Sequence, residues 1–103
     1  MPEPPYYAVI FTSRRTEGDH GYAERTARMS ALAAEQDGYL GEESARDESG
    51  LGITVSYWRD EEAIAGWREN LEHTESRRRG RAEWYEEFEV RVARVERSYG
   101  FTR

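Results

Sequence analysis

The chain has 103 residues, a length typical of one domain with a modest hydrophobic core. Fifteen basic residues against twenty-one acidic residues give a net charge of −6, which argues against general binding to nucleic acids or to anionic membranes. The chain contains no cysteine and no lysine, so disulfides, thiolate metal sites and catalysis through a lysine Schiff base are excluded.

The N-terminal segment Met1–Pro5 is rich in proline and is expected to form a flexible arm, which leaves residues 6–103 as a single domain. The arm lacks the basic and apolar regions of a signal peptide. No apolar run in the chain reaches the length that spans a membrane. We therefore expect a cytoplasmic protein.

The first part of the domain is predicted to form a strand, a helix and a second strand. Tyr6–Ser13 is rich in β-branched and aromatic residues, as strands are. A helix follows over roughly Gly21–Gln36, where apolar residues recur on one side, and Gly38 provides a C-terminal stop. Tyr39–Arg46 is predicted to be the second strand.

A hairpin and a junction between strand and helix come next. Asp47–Gly50 is predicted to be the turn that joins the second strand to a third strand over Leu51–Arg59. Asp60 is a good N-cap, and the helix that it begins is predicted to run over about Glu61–Leu71. The third strand therefore leads directly into the second helix.

The last strand is predicted over Phe88–Tyr99. The polar segment Glu72–Gly80 is expected to continue the second helix or to form a short separate one, and Arg81–Glu87 is expected to be a helical turn. Alternation along the last strand slips between Val92 and Ala93, which indicates a bulge, or burial on both faces by a second molecule. The order β-α-β-β-α-β predicts an α+β fold of the ferredoxin-like type.

Aromatic and proton-carrying side chains gather at the junction of the third strand and the second helix. Trp58 lies in the strand on the face opposite Tyr57, Trp67 lies in the helix, and His73 follows six residues later. Large apolar walls beside a group that carries a proton are what a pocket for an aromatic ligand requires. We predict catalytic roles for His73 and Trp67, and ligand contacts for Trp58, Tyr57 and Arg77.

The sequence resembles the antibiotic biosynthesis monooxygenase superfamily, and in particular its bacterial branch of heme-degrading monooxygenases and related proteins. The segments that carry this resemblance are Pro5–Phe11, Met29–Gly38, Gly41–Arg46, Gly52–Trp58, Ala63-Ile64 with Trp67, Glu72-His73, Gly80-Arg81 with Trp84-Tyr85, and Arg91-Val92 with Val95–Arg97 and Tyr99. The resemblance implies a homodimer with the dimeric α+β barrel fold, in which each subunit holds a pocket between its helices and its sheet.

The resemblance also implies a monooxygenase that acts on heme or on a planar aromatic compound. Heme degraders of the superfamily use an asparagine on the first strand, a tryptophan on the helix after the third strand and, further along, a histidine that binds iron. Trp67 matches the tryptophan, but Tyr6–Ser13 holds no asparagine and Arg77 stands where the histidine would be. Heme is therefore a candidate substrate, and no cofactor is assigned with certainty, because related oxygenases act without one on phenols that activate oxygen once deprotonated.

Each candidate residue also has a structural interpretation. His73 would serve as an axial iron ligand, as a general base, or as a structural residue hydrogen-bonded to Glu69. Trp67 would pack in the core and line a cavity at the same time. Arg77 lies in a basic cluster that would hold a ligand carboxylate or stabilise a solvated helix end.

Three further expectations concern the helix that carries Trp67, metal binding and the alternative function. Residues six apart on a regular helix point about 240° apart, so a shared pocket for Trp67 and His73 requires a break near Asn70–Glu72. Two histidines cannot build a histidine-rich metal site, so no metal ligand is assigned. The alternative to an enzyme is a non-catalytic dimeric module that binds a small ligand or acts in stress responses.

Overall fold

The computed structural model describes residues 2–19, 21–73 and 84–103, and the side chains of residues 71–73 lie outside that description. The elements along these residues are β1 Tyr6–Arg15, α1 Tyr22–Ala34, β2 Tyr39–Arg46, β3 Leu51–Trp58, α2 Glu61–His73 and β4 Tyr85–Val95. The predicted order β-α-β-β-α-β and the ferredoxin-like α+β fold are confirmed. Residues 74–80, for which we expected helical structure, lie outside the described residues.

The strands form one antiparallel sheet in the order β2-β3-β1-β4. β1 lies inside the sheet, and Val9 at its middle is opposite Ser56 of β3 and Val92 of β4. Directly paired residues of antiparallel strands point to the same side of a sheet, and successive residues of one strand alternate between sides. The register therefore assigns every strand residue to one of two faces.

Both helices lie against the same face of the sheet. Trp58 of β3 contacts Trp67 of α2, and Arg46 of β2 contacts Tyr22 of α1. We call the face that carries Trp58 and Arg46 the helix face. The opposite side, which carries Ile53, is the outer face.

The last strand begins and ends earlier than the predicted Phe88–Tyr99. Polar residues at its start favoured a helical turn, but β1 extends to Arg15 and pairs with them through the backbone. The end of β4 is set by its partner strand: Val95 pairs with Tyr6, the first residue of β1. Pro5, which precedes Tyr6, has no N–H to donate, so the pairing stops there.

The bulge expected between Val92 and Ala93 is absent. These residues pair in unbroken register with Val9 and Ala8, and the shift in register between β1 and β4 lies at the other end, beside Arg15. The two adjacent apolar residues of β4 therefore point to opposite faces of the sheet, and each face receives one of them.

The end of α1 is tied to the start of α2. Asp60 is the predicted N-cap of α2, and its Oδ1 accepts a hydrogen bond of 2.8 Å from the backbone N–H of Ala63. Arg59 donates to both carboxylate oxygens of Asp37 at 3.1 and 3.2 Å. Gly38 adopts a φ of 88°, and its carbonyl accepts a hydrogen bond from the N–H of Arg59.

Membrane insertion through a helix finds no support in the fold. Among the residues that the structure describes, no helix combines the length and the apolar character that crossing a bilayer demands.

Candidate active site

Two of the predicted residues, Trp58 and Trp67, form a stacked pair at one end of the helix face. Their ring centroids are 6.1 Å apart, with 24° between the ring planes. Tyr39 meets Trp58 edge-on at 5.5 Å, and the indole N–H of Trp58 donates to Ser56 Oγ at 2.9 Å. Trp58 exposes 0 % of its surface, so its indole has its contacts inside the protein, whereas Trp67 remains partly exposed.

Tyr57 lies on the outer face and is not brought together with the two tryptophans. Its hydroxyl donates to Glu43 Oε1 at 2.7 Å, and its ring meets the edge of Tyr6. The hydrogen bond to the Glu43 carboxylate, followed by burial, raises the pKa of Tyr57 above its usual value. Tyr57 and Trp58 would therefore contact different molecules if each contacts a ligand.

The helix that carries Trp67 continues without interruption to His73. The break near Asn70–Glu72 that a shared pocket requires is therefore absent, since residues six apart on a regular helix point about 240° apart. The side chain of His73 and all of Arg77 lie outside the described residues, and the roles proposed for them stay predictions.

At the other end of the helix face lies a group of polar side chains that the sequence analysis did not assemble. The guanidinium of Arg46 donates to Ser13 Oγ at 2.9 Å and to the Tyr22 hydroxyl at 3.3 Å. It also donates to the backbone carbonyls of Ser13 and Gly50. Ser13 is almost fully buried, with 2 % of its surface exposed, so the guanidinium is held against the sheet.

Gly52 makes room for this arrangement. It pairs with Arg46 across the hairpin, and a Cβ built at Gly52 would lie only 2.6 Å from the guanidinium carbon of Arg46. A glycine inside a strand often marks a close approach by another group. The predicted turn at Asp47–Gly50 sets the pairing of Arg46 with Gly52. The turn and the glycine inside the strand together were the features of the sequence that could have indicated this site.

A second tyrosine and a second arginine complete this group. The Tyr85 hydroxyl donates to the Tyr22 hydroxyl at 3.4 Å, and the guanidinium of Arg15 lies 3.7 Å from the centre of the Tyr22 ring. Arg15 is held in place by a hydrogen bond of 2.9 Å to the carbonyl of Trp84. We call Tyr22, Tyr85, Arg15 and Arg46 the tyrosine–arginine cluster.

The two tyrosines of the cluster differ in acidity. Burial raises the pKa of Tyr22, but the hydrogen bond from Tyr85, together with the charge and hydrogen bond of Arg46, outweighs burial and lowers that pKa below its ordinary value. Burial and the interaction with Tyr22 raise the pKa of Tyr85 far above its ordinary value. Tyr85 is therefore a proton donor in the pair, and the oxygen of Tyr22 is where negative charge is best tolerated.

An apolar strip runs along the helix face from the middle of the sheet to the tyrosine–arginine cluster. Its members are Val9 and Phe11 of β1 with Phe88, Val90 and Val92 of β4. Phe11 stacks on Phe88 at 5.5 Å and meets the edge of Tyr85 at 5.3 Å. Val90 exposes 50 % of its surface and Val92 exposes 51 %, so this part of the strip is accessible to a ligand.

Chemically, the strip and the cluster combine an apolar surface with a polar end that favours negative charge. That combination suits a ligand with a flat apolar body and one acidic oxygen. Tyr7, which pairs with Trp58, lies six positions before Ser13 in β1, roughly 20 Å at the rise of a strand. The tryptophan pair and the cluster therefore mark opposite ends of the helix face.

Two shallow depressions on the surface have no aromatic side chain in their walls, although the wall of one of them includes Arg46 and Gly52. One, of about 300 Å³, lies at the end of the β2–β3 hairpin, and the other, of about 630 Å³, lies along one side of α2. Within the described parts of the chain, no three metal-binding side chains lie close enough together to hold an ion. The aromatic helix face is therefore the better candidate site.

Comparison with known proteins points to one family. The sequence pattern of the family described as antibiotic biosynthesis monooxygenase matches residues 5–79. The Bacillus subtilis protein YqjZ, which is uncharacterized, is 55 % identical over 96 residues, a span of 93 % of this chain and 84 % of that protein.

Solved structures share the fold at much lower identity. SnoaB from Streptomyces nogalater, a cofactor-independent oxygenase, is 13 % identical, with a TM-score of 0.78 over 92 % of this chain and 97 % of its own. PA3566 from Pseudomonas aeruginosa is 22 % identical, with a TM-score of 0.67 over 96 % of this chain and 100 % of its own. At such identities the likeness supports the fold and leaves the reaction to be argued from the site.

Proposed function

The chain belongs to the antibiotic biosynthesis monooxygenase family, and from that premise we propose that it oxygenates a planar aromatic compound bound on the helix face of its sheet. The observation that carries this proposal is the apolar strip. Phe11, Phe88 and Val90 present a continuous aromatic and aliphatic surface on the side of the sheet where the helices lie, and part of it is exposed.

The proposed reaction needs no cofactor if the substrate is a phenol or an enol. Deprotonation makes such a compound electron-rich enough to reduce O₂ itself, and a dry apolar surface protects the reactive anion from water. When a ring CH₂ becomes a carbonyl, one atom of O₂ becomes the carbonyl oxygen, and the other leaves as water with the two hydrogens of the CH₂ group. The substrate then supplies all the electrons, and the protein supplies binding and proton transfer.

Heme is the second planar aromatic substrate of this proposal. It is supported by the position of Trp67 on α2, which matches the tryptophan of the heme degraders that the sequence resembles. A heme titration of the wild type and of His73→Ala tests this version. A Soret band that is lost in the variant, with bleaching of the heme under reductant and oxygen, would support heme degradation; no band at all would rule it out.

Oxygen uptake with a hydroxylated anthrone tests the aromatic version. This three-ring phenol oxidises after deprotonation, and its product is coloured, so oxygen consumption and absorbance report the same reaction. We expect turnover above the uncatalysed rate. Binding of the anthrone without any oxygen uptake would instead favour the non-catalytic ligand-binding module.

Two matched variants show whether the strip is where the substrate lies. Val90→Thr places a hydroxyl in the strip, and Ile53→Thr does the same at a position of similar exposure on the outer face. We expect Val90→Thr to weaken anthrone binding and Ile53→Thr to leave it unchanged. Equal effects of the two variants would contradict a site on the helix face.

We propose further that the protein is a homodimer that buries its outer face. Leu51 and Ile53 are exposed on this face, and Ile10 and Val55 beside them are half-buried. Beyond β4, Tyr99 and Phe101 expose more than four fifths of their surface. A second copy would cover apolar surface of this kind, as the resemblance to dimeric barrels implies.

A further inference from the structure

We propose that the tyrosine–arginine cluster is the binding site for the ionised oxygen of an aromatic ligand whose ring lies on the apolar strip. The inference rests on the proposed function only for the ligand class, a planar phenol or enol. It goes beyond that function because it names the atoms that would hold and deprotonate the ligand.

Continuity of contacts is the first argument. Phe88 stacks on Phe11, Phe11 meets the edge of Tyr85, and Tyr85 donates to the hydroxyl of Tyr22. A ring that lies on the two phenylalanines would therefore direct a substituent toward the two tyrosine hydroxyls. Arg46 is already in hydrogen-bond contact with the Tyr22 hydroxyl, so its charge lies next to the same position.

Charge complementarity is the second argument. The protein carries a net charge of −6, yet the cluster brings two guanidinium groups to one tyrosine ring. Within the described residues, the hydrogen-bond partners of Arg15 and Arg46 are neutral carbonyls and hydroxyls, and neither arginine forms an ion pair with a carboxylate. The positive charge is therefore available to an anion. Burial against an apolar strip would strengthen the attraction between the guanidinium groups and that anion.

The proton has a defined route in this site. When the Tyr22 hydroxyl has lost its proton, a phenolic ligand transfers its own proton to that oxygen, which becomes a neutral hydroxyl again, and the ligand becomes a phenolate. No other bond forms or breaks in this step. Tyr85 donates a hydrogen bond throughout, and Arg46 stabilises whichever of the two oxygens carries the charge. The lowered pKa of Tyr22 is consistent with this role.

The test uses 4-nitrophenol as the probe, because its ionised form is coloured and reports its own protonation. The wild type is titrated with the probe across a pH series, and 4-nitroanisole, which cannot ionise, is the matched ligand control. We expect the bound phenol to ionise at a lower pH than the free phenol, and 4-nitroanisole to bind at least tenfold more weakly than the phenolate.

Three variants examine the cluster. Tyr22→Phe keeps the ring and removes the hydroxyl, and Arg46→Gln removes the charge; each should weaken phenolate binding about tenfold, the loss expected for one charge-assisted hydrogen bond. Gly52→Ala keeps the charge of Arg46 but displaces its guanidinium, and it should weaken binding as well. Arg91→Gln, the same change on the outer face of the sheet, is the control and should have no effect.

The outcomes separate this inference from the proposed function. If 4-nitroanisole binds as tightly as the phenolate, or if Tyr22→Phe and Arg46→Gln bind the phenolate like the wild type while their melting temperatures are unchanged, the inference is wrong even if the anthrone is oxygenated. If the cluster variants lose phenolate binding but the wild type consumes no oxygen, the inference holds and the proposed oxygenase function fails.

Discussion

Trp58 contacts aromatic rings on two sides and leaves no surface to solvent. Its position at the end of β3, directly before α2, makes it the residue through which the strand, the helix and Tyr39 of β2 meet. A side chain so placed stabilises the fold in the first place, and it shapes any neighbouring pocket through that role.

Replacement of Trp58 by alanine should lower the free energy of unfolding by about 3–5 kcal/mol, because a large buried ring leaves a cavity that its neighbours fill only in part. Trp67→Ala should cost less, since part of the Trp67 ring is already in water. Urea denaturation followed by far-UV circular dichroism measures both. Equal and small losses, below about 1 kcal/mol, would mean that the indole pair is not part of the core.

The site residues predicted from the sequence differ from those that the structure brings together, and individual residues show why. Trp58 and Trp67 were recognised because tryptophans at a strand–helix junction stand out in a sequence. Arg46 and Ser13 were not, because arginine and serine are common on surfaces and nothing local distinguishes these two. The hairpin register sets Arg46 opposite Gly52, and the pairing of β1 with β3 sets Ser13 opposite the same glycine, so only the two registers together bring Arg46 to Ser13.

At the scale of elements, β2 was predicted with its observed bounds, while the bounds of β4 were wrong. Tyr39–Arg46 ends at a turn whose residues mark it in the sequence, and Asp47 Oδ1 indeed accepts hydrogen bonds from the N–H groups of Ser49 and Leu51. β4 has no such marks. Its ends depend on the length of β1, a partner about eighty residues away along the chain, which local patterns cannot reveal.

A glycine in the turn after α1 and a glycine inside α2 should respond oppositely to alanine. Gly38→Ala should destabilise the protein by more than about 1 kcal/mol, because Gly38 has a φ of 88° and a new Cβ would lie 2.5 Å from the Cβ of Ala63. Gly66, inside α2, has nothing within 4 Å of its Cβ position, so Gly66→Ala should stabilise by up to about 1 kcal/mol. Thermal unfolding of the two variants measures both effects, and a shift in the same direction would contradict the expectation.

The link between α1 and α2 should weaken in acid. Hydrogen bonds from Arg59 lower the pKa of Asp37, and the backbone N–H of Ala63, followed by Arg59, lowers that of Asp60. A carboxyl group whose pKa is lower in the folded than in the unfolded protein stabilises the fold at pH values above its unfolded-state pKa. This contribution is lost as the pH falls through the folded-state pKa. Stability should therefore decline below about pH 4.

The melting temperature measured from pH 7 to pH 2 shows this decline, and the variant Asp60→Asn isolates one part of it. Asparagine still caps a helix but does not titrate, so the acid-dependent loss should be smaller in the variant than in the wild type. Parallel curves for the two proteins would mean that Asp60 does not contribute to the acid sensitivity.

At the scale of the whole molecule, the sheet has exposed apolar residues on both faces. Val90 and Val92 are half exposed on the helix face, and Ile53 is half exposed on the outer face. We propose that the helix face binds a small aromatic ligand and that the outer face binds a second copy of the chain. The fold could be predicted from element order and resemblance, whereas this division of surfaces needed the register of all four strands.

Sedimentation should show a dimer at micromolar concentration. Ile53→Glu, which places a charge on the outer face, should shift the protein toward monomer. Ser44→Glu places the same charge at an exposed position on the helix face and should leave the dimer intact. A stable, folded wild-type monomer would refute the dimer. Dissociation by Ser44→Glu alone would mean that the interface lies on the helix face and not on the outer face.

The near-parallel indoles of Trp58 and Trp67 also have an optical consequence. Two identical chromophores whose centres are 6.1 Å apart share their excited states, and such coupling contributes a signal to ultraviolet circular dichroism that depends steeply on separation and angle. The pair therefore acts as a built-in spectroscopic gauge of how closely α2 is docked on the sheet. A ligand that lifts α2 when it enters would change this signal without any attached label.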